Sequence, residues 1–106
     1  MFSRNTIDVN AAHVLDNAMI LDVRTKVEFR SGHVPGATHV SLDSVAQRKG
    51  WIARKAENRT ILVICRSGNR SARATRHLRA MGLDALNVRG GMLAWQRRGL
   101  PVRAGT

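Results

Sequence analysis

Residues Thr60-Ile61-Leu62-Val63-Ile64 place four bulky apolar side chains in unbroken succession and lead directly into Cys65. A strand with one face in water alternates apolar and polar residues. An unbroken run needs cover on both faces, as an interior strand of a parallel sheet has. Other strands are legible around it. Met19-Ile20-Leu21-Asp22-Val23-Arg24 reads as a strand ending in charge, and Thr38-His39-Val40-Ser41-Leu42 as a shorter, alternating one. Ala85-Leu86-Asn87-Val88 reads as a fourth, closed by the Gly90-Gly91 break. Helical spacing predicts a helix over 9–18 capped by Asp8, with Val14 and Ala18, and Ala11 and Leu15, as its paired positions. A second is expected over 44–56, capped by Asp43. A third is expected over 71–81, with Ala74, Leu78 and Met81 on one face and Gly82 as its stop. A short last helix over 91–98 ends before Gly99 and Pro101. Strands alternating with helices give an α/β fold around a parallel sheet, and such sheets bind ligands at the carboxyl ends of their strands. Cys65 stands at such an end.

Composition narrows the class. At 106 residues the chain is expected to fold as one domain, 1–106, with a core of its own. No apolar run approaches the ~20 residues that span a bilayer. The opening Met-Phe-Ser-Arg-Asn-Thr-Ile-Asp lacks the apolar core and cleavage site of a signal peptide, so a cytoplasmic protein without membrane attachment is expected. A lone cysteine forms no internal disulfide and suits a reducing compartment. His13, His33, His39 and His77 show no ligand spacing, so neither a metal nor another cofactor is expected. The net charge of +11 attracts anions of every kind. Fifteen arginines are scattered rather than blocked, there is no tyrosine, and Phe and Trp number two each. A stacking platform for nucleic acid is therefore poorly supplied, and nucleic acid is not the expected partner.

The chemistry concentrates in Cys65-Arg66-Ser67-Gly68-Asn69-Arg70-Ser71, which joins the best strand to a good helix. A tight strand-to-helix turn gathers backbone N–H groups into a cup, and the helix N-terminus adds partial positive charge. Arg66 and Arg70 would add two full charges. Such surroundings lower a thiol's pKa and make thiolate at neutral pH. Gly68 gives the backbone freedom to close over one sulfur. Ser71 can turn its hydroxyl to the loop or cap the helix. A buried cysteine used as a small hydrophobe is the competing reading. The polar residues that follow Cys65 favour a nucleophile.

This loop resembles the active-site loop of the rhodanese family of thiosulfate and persulfide sulfurtransferases. So do three other blocks in the family's order: Asp22-Val23-Arg24; Glu28-Phe29-Arg30-Ser31-Gly32-His33-Val34-Pro35-Gly36-Ala37; and Gly90-Gly91-Met92-Leu93-Ala94-Trp95. The resemblance implies a rhodanese-like three-layer fold, with a central, mainly parallel five-stranded sheet flanked by helices. The fifth strand would have to come from residues 4–7. It also implies double displacement: Cys65 takes sulfur from a small anionic donor such as thiosulfate, holds it as a persulfide on loop 66–71, and passes it to an external thiol, a protein acceptor or cyanide. Arg24 is expected to orient or neutralise an anion near the loop, and Asp22 to brace the loop by accepting hydrogen bonds. His33 is expected to brace the Gly32–Gly36 turn rather than act as a base, and Phe29 and Trp95 to lie in the core. Arg73, Arg76 and Arg79 form a basic stripe, either simply solvated or a docking face for an acidic partner. A persulfide carrier or interaction module serving one protein partner is the alternative reading. A phosphatase or arsenate reductase is a remote one, because that class spaces Cys and Arg by five residues and here four intervene.

Overall fold

The structure, a computed structural model, describes residues 5–106. Five strands form one sheet: β1 (Thr6–Ile7), β2 (Ala18–Asp22), β3 (Thr38–His39), β4 (Thr60–Ile64) and β5 (Ala85–Val88). They lie in the order β1-β5-β4-β2-β3, and every pairing is parallel. Six helices connect them: α1 (Val9–Val14), α2 (Lys26–Ser31), α3 (Leu42–Val45), α4 (Lys49–Ala56), α5 (Asn69–Ala80) and α6 (Gly91–Arg97).

The apolar run takes the central place. Ile61, Leu62, Val63 and Ile64 are wholly inaccessible to solvent, and they divide by parity. Ile61, Val63 and Cys65 pack in one core cluster with Val45 and Ile52, from α3 and α4, and Ala74 and Leu78 of α5. Leu62 and Ile64 pack in the other with Val9, Ala12, Met92 and Trp95, from α1 and α6. Successive strand side chains point to opposite faces, so Cys65 inherits the α5 side of the sheet from Ile61 and Val63. The fifth strand is β1, at the edge beside β5. Residue 4 of the expected 4–7 strand lies outside the described residues.

Several boundaries differ from the sequence reading. The first helix stops at Val14, because Ala18 enters the ladder opposite Thr60; Asn17 makes the turn at φ 57°. Val9 and Ala12 are its buried residues, while Val14 and Leu15 are exposed. The Asp8 cap holds, its carboxylate accepting from Ala11 N–H at 2.9 Å. The alternation at 38–42 yields only two strand residues; Val40 and Leu42 N–H still donate to the Asp22 and Val23 carbonyls as the chain turns over the sheet end. The helix expected over 44–56 is two, α3 and α4. Arg48 N–H is shared between the Ser44 and Val45 carbonyls where the first ends, and Ser41, not Asp43, occupies the N-cap position. α5 begins two residues early, at Asn69, and Met81 lies beyond its end and exposed. α2 carries a signal that was readable: Thr25 and Glu28 form a reciprocal capping box.

Candidate active site

β4 delivers Cys65 to the carboxyl end of the sheet, and α5 starts four residues later. The first N–H groups of any helix have no partner within it. Here Gly68, in the N-cap position at φ 108°, bends the chain so that those groups turn back on the sulfur. Gly68 N–H donates to Cys65 Sγ at 3.1 Å and Ser71 N–H at 3.3 Å, and the Ser71 hydroxyl lies 3.2 Å from the same atom. Cys65 is buried at 1% exposure beneath a loop whose Arg66, Ser67 and Asn69 are exposed. Burial pushes the Cys65 thiol up. The Ser71 hydroxyl and the N–H groups of Ser71, Gly68 and Ser67 outweigh it and hold the thiol below its ordinary 9.0.

The back of the loop explains why its N–H groups face inward. The carbonyls of Cys65 and Arg66 point the other way, where they accept from Met92 and Leu93 N–H at 2.8 and 3.0 Å. Those donors are the orphan groups of α6. Gly91, at φ 56°, makes the approach possible: a Cβ there would stand 2.4 Å from the Cys65 carbonyl oxygen and 2.6 Å from that of Arg66. The Gly90-Gly91 pair is therefore more than a break after a strand. It lets one helix clamp the loop that the other helix's strand presents.

The arginines do other work. Arg70 is spent on Glu28, donating through two nitrogens at 2.6 and 2.8 Å and tying α5 to α2. That hydrogen-bonded pairing, working against partial burial, brings the Glu28 carboxyl from 4.5 down to about 2. Arg66 is exposed. The forces that lower the thiol most are thus one hydroxyl and backbone dipoles; the Arg70 guanidinium, one of the two charges expected from the sequence, also interacts with the charge on Cys65, but less than with Glu28. Arg24 and Asp22 are buried against each other, with Arg24 donating to both carboxylate oxygens at 2.8–3.1 Å and to the Gly32 carbonyl at 2.7 Å. Asp22 does accept from an arginine, but the pair braces the stretch between β2 and the Gly32 turn; the hydrogen bonds of Arg24 do not run to loop 65–71. His33 is a brace in the same stretch. Its Nδ1–H donates to the Phe29 carbonyl at 2.7 Å, and its ring stacks on Phe29 at 3.7 Å. Trp95 lies in the core. On α5, Arg73 and Arg76 are exposed, and Arg79 donates to the Ala85 carbonyl and lies 3.9 Å from Asp84.

Asn87 escaped the sequence reading. It is buried on β5, opposite Val63 and so on the α5 side of the sheet. Its Nδ2 donates to the Gly68 carbonyl at 3.2 Å, and its Oδ1 lies 2.5 Å from the Ser71 hydroxyl. The signal was a lone amide inside an apolar strand, since a buried polar group needs a partner. Among the described residues no cluster of three or more His, Cys, Asp or Glu could hold a metal ion, and no helix is long and apolar enough to cross a membrane.

Comparison with known proteins bears on this geometry. The family model described as "Rhodanese-like domain" matches residues 7–98. A sulfurtransferase of Allochromatium vinosum is 34% identical over 90 residues, covering 84% of this chain and 81% of the relative. The thiosulfate sulfurtransferase GlpE of Vibrio cholerae is 31% identical over 102 residues, covering 92% of this chain and 93% of the relative. Among solved structures, a rhodanese-related protein from Thermoplasma volcanium superposes with a TM-score of 0.85 at 27% identity, over 93% of this chain and 97% of the other.

Proposed function

The chain belongs to the rhodanese-like domain family of sulfurtransferases, and from that premise we propose that it moves sulfane sulfur through a persulfide on Cys65. The observation that carries the reading is the convergence of two backbone N–H groups and one hydroxyl on Sγ within 3.3 Å. The two N–H groups are fixed dipoles aimed at a developing anion, and such dipoles stabilise it without reorganising when the reaction occurs.

In the first half-reaction the Cys65 thiolate attacks the outer sulfur of a small anionic donor such as thiosulfate. The donor's S–S bond breaks, sulfite leaves with the electron pair, and Cys65 becomes Cys–S–S⁻. The N–H groups of residues 66–71 then hold the terminal sulfur anion. In the second, a thiol of another molecule or cyanide attacks that terminal sulfur, and the Cys65 thiolate leaves. Cys65 is the only cysteine of the sequence, so the acceptor is a second molecule. Two half-reactions joined by a covalent intermediate give ping-pong kinetics.

Intact mass before and after thiosulfate tests the reading. The expected result is a gain of one sulfur, removed by cyanide and absent in a folded Cys65→Ala variant. A gain that persists in that variant, or no gain in the parent with thiosulfate, persulfide or thiosulfonate donors, would overturn it.

A further inference from the structure

Ser71 has one hydroxyl proton and two groups within reach that could accept it. Cys65 Sγ lies 3.2 Å from Oγ and Asn87 Oδ1 lies 2.5 Å from it. The orientation of Asn87 is not free. The Gly68 carbonyl can only accept, so the amide nitrogen faces it at 3.2 Å and the amide oxygen must face Ser71. An amide oxygen can only accept as well, so Ser71 must be the donor in that pair. A hydroxyl that donates to Asn87 turns a lone pair, not its proton, toward the sulfur.

We infer that Asn87 is a positioning residue that draws the Ser71 hydroxyl proton away from Cys65, so that Ser71 accepts from the neutral thiol and must rotate its proton to Sγ when the thiolate forms. In the thiol state the S–H can donate to Ser71 Oγ while Ser71 donates to Asn87, and all three groups are satisfied. When the S–H proton leaves to solvent, Sγ carries the charge and the Ser71 hydroxyl turns to it, at the cost of the bond to Asn87. Once Sγ is bonded to a second sulfur the charge sits on the outer atom, and the hydroxyl can return to Asn87. No covalent bond to Ser71 or Asn87 forms or breaks in this cycle.

Asn87 therefore opposes the acidity that the cup confers. That opposition has a use under the proposed reaction, on which this consequence rests. A thiolate grows less nucleophilic as its pKa falls, and the best attacking thiol titrates near the working pH. An acceptor competing for the one mobile hydroxyl keeps the sulfur from becoming too weak a nucleophile.

The titration of Cys65 tests the inference independently of any turnover. The chain has one thiol and no tyrosine, so thiolate absorbance near 240 nm reports this group alone. Asn87→Ala frees the Ser71 hydroxyl for Sγ, and the midpoint should fall by about half to one pH unit, the worth of one hydrogen bond redirected to a charge. Ser71→Ala should raise it. In the Ser71→Ala background, Asn87→Ala should shift nothing further. A purely structural role for Asn87 predicts the opposite sign, because a loosened cup aims its N–H groups less well and raises the midpoint. A rise, no change, or a fall that persists without the Ser71 hydroxyl overturns the inference. Asn87→Leu, closer in volume on a strand, decides in the same way if the alanine variant does not fold by circular dichroism. Persulfide loading measured on the same variants separates the two ideas: a failed shift with loading intact removes the role of Asn87 and leaves sulfur transfer standing.

Discussion

Gly91→Ala isolates the clamp between α6 and the loop. A Cβ at 91 would lie 2.4 Å from the Cys65 carbonyl oxygen, where ordinary contact begins at 3.4 Å, so the first turn of α6 must retreat by about 1 Å. A retreat of that size takes the 2.8 Å bond from Met92 N–H to the Cys65 carbonyl past the length at which such a bond survives, and the 3.0 Å bond from Leu93 follows it. Two lost hydrogen bonds cost about 2 kcal/mol, and a side chain in the left-handed region adds about 1–2 kcal/mol. The expected loss is about 3–4 kcal/mol, a large share of the ~5–15 kcal/mol that holds a domain folded. Gly82→Ala supplies the control. Gly82 has φ 88° and nothing within 4 Å of its Cβ position, so only the conformational cost of about 1–2 kcal/mol applies. Urea unfolding of both variants, with Cys65 titrated at 240 nm in each, reads stability and loop geometry together. Gly91→Ala should be the less stable by about 2 kcal/mol and should raise the thiol midpoint, since the loop's N–H groups lose their aim; Gly82→Ala should leave the midpoint alone. Equal stability losses, or a Gly91→Ala midpoint unchanged from the parent, would refute the clamp.

Two further outcomes follow from the charges. The folded-state pKa of Glu28 is depressed from 4.5 to about 2, so its pairing with Arg70 stabilises fully above 4.5 and fades as pH falls toward 2. With 27% of the Glu28 and 34% of the Arg70 side chain exposed to screening solvent, the contribution is about 1 kcal/mol. Glu28→Gln should lose that much at pH 7, and urea midpoints of parent and variant should converge as pH is lowered; parallel curves across the range would contradict the assignment. Raising ionic strength from about 0.01 to 0.15 M shortens the screening length from about 30 to 8 Å. If local N–H dipoles set the Cys65 thiol, its midpoint should hardly move over that range, while kcat/KM for an anionic sulfur donor should fall because the field of the +11 chain no longer gathers it. A midpoint that climbs steeply with salt would return the arginines to the centre of the account.

What the sequence made legible is what depends on local pattern. The unbroken run at 61–64 announced a central strand, and the polar loop after it announced where chemistry would sit. The β4–Cys65–α5 order and the placement of the sulfur at a strand's carboxyl end both follow from residues adjacent in the chain. Boundaries that depend on partners were hidden. Nothing within 9–18 says that Ala18 is claimed by Thr60 across the sheet, and nothing within 38–42 says that the edge strand stops at His39. The electrostatic reading was incomplete for the same reason. Arg70 looks like a charge offered to the loop until Glu28, forty-two positions away, is seen to occupy it. Asn87 and Gly91 lie more than twenty residues beyond Cys65, and their parts in the site appear only when β5 and α6 are folded against β4.

That commitment of Arg70 also bears on the choice between sulfur and phosphate. A loop built for a tetrahedral oxyanion needs to balance charge on several oxygens at once, and a planar guanidinium with its fork of donors is suited to that. Here the guanidinium at 70 already holds a carboxylate through two nitrogens. What the loop offers its guest is a short arc of N–H groups directed at a single atom. A charge concentrated on one sulfur is matched by such an arc; a charge spread over three oxygens would leave most of itself unpaired in a buried place, where that is costly. The four-residue spacing between Cys65 and Arg70 marks a small loop, and the salt bridge to Glu28 gives the small loop its chemical meaning: the arginine is part of the wall, and under the proposed reaction the backbone N–H groups carry the larger share of the anion.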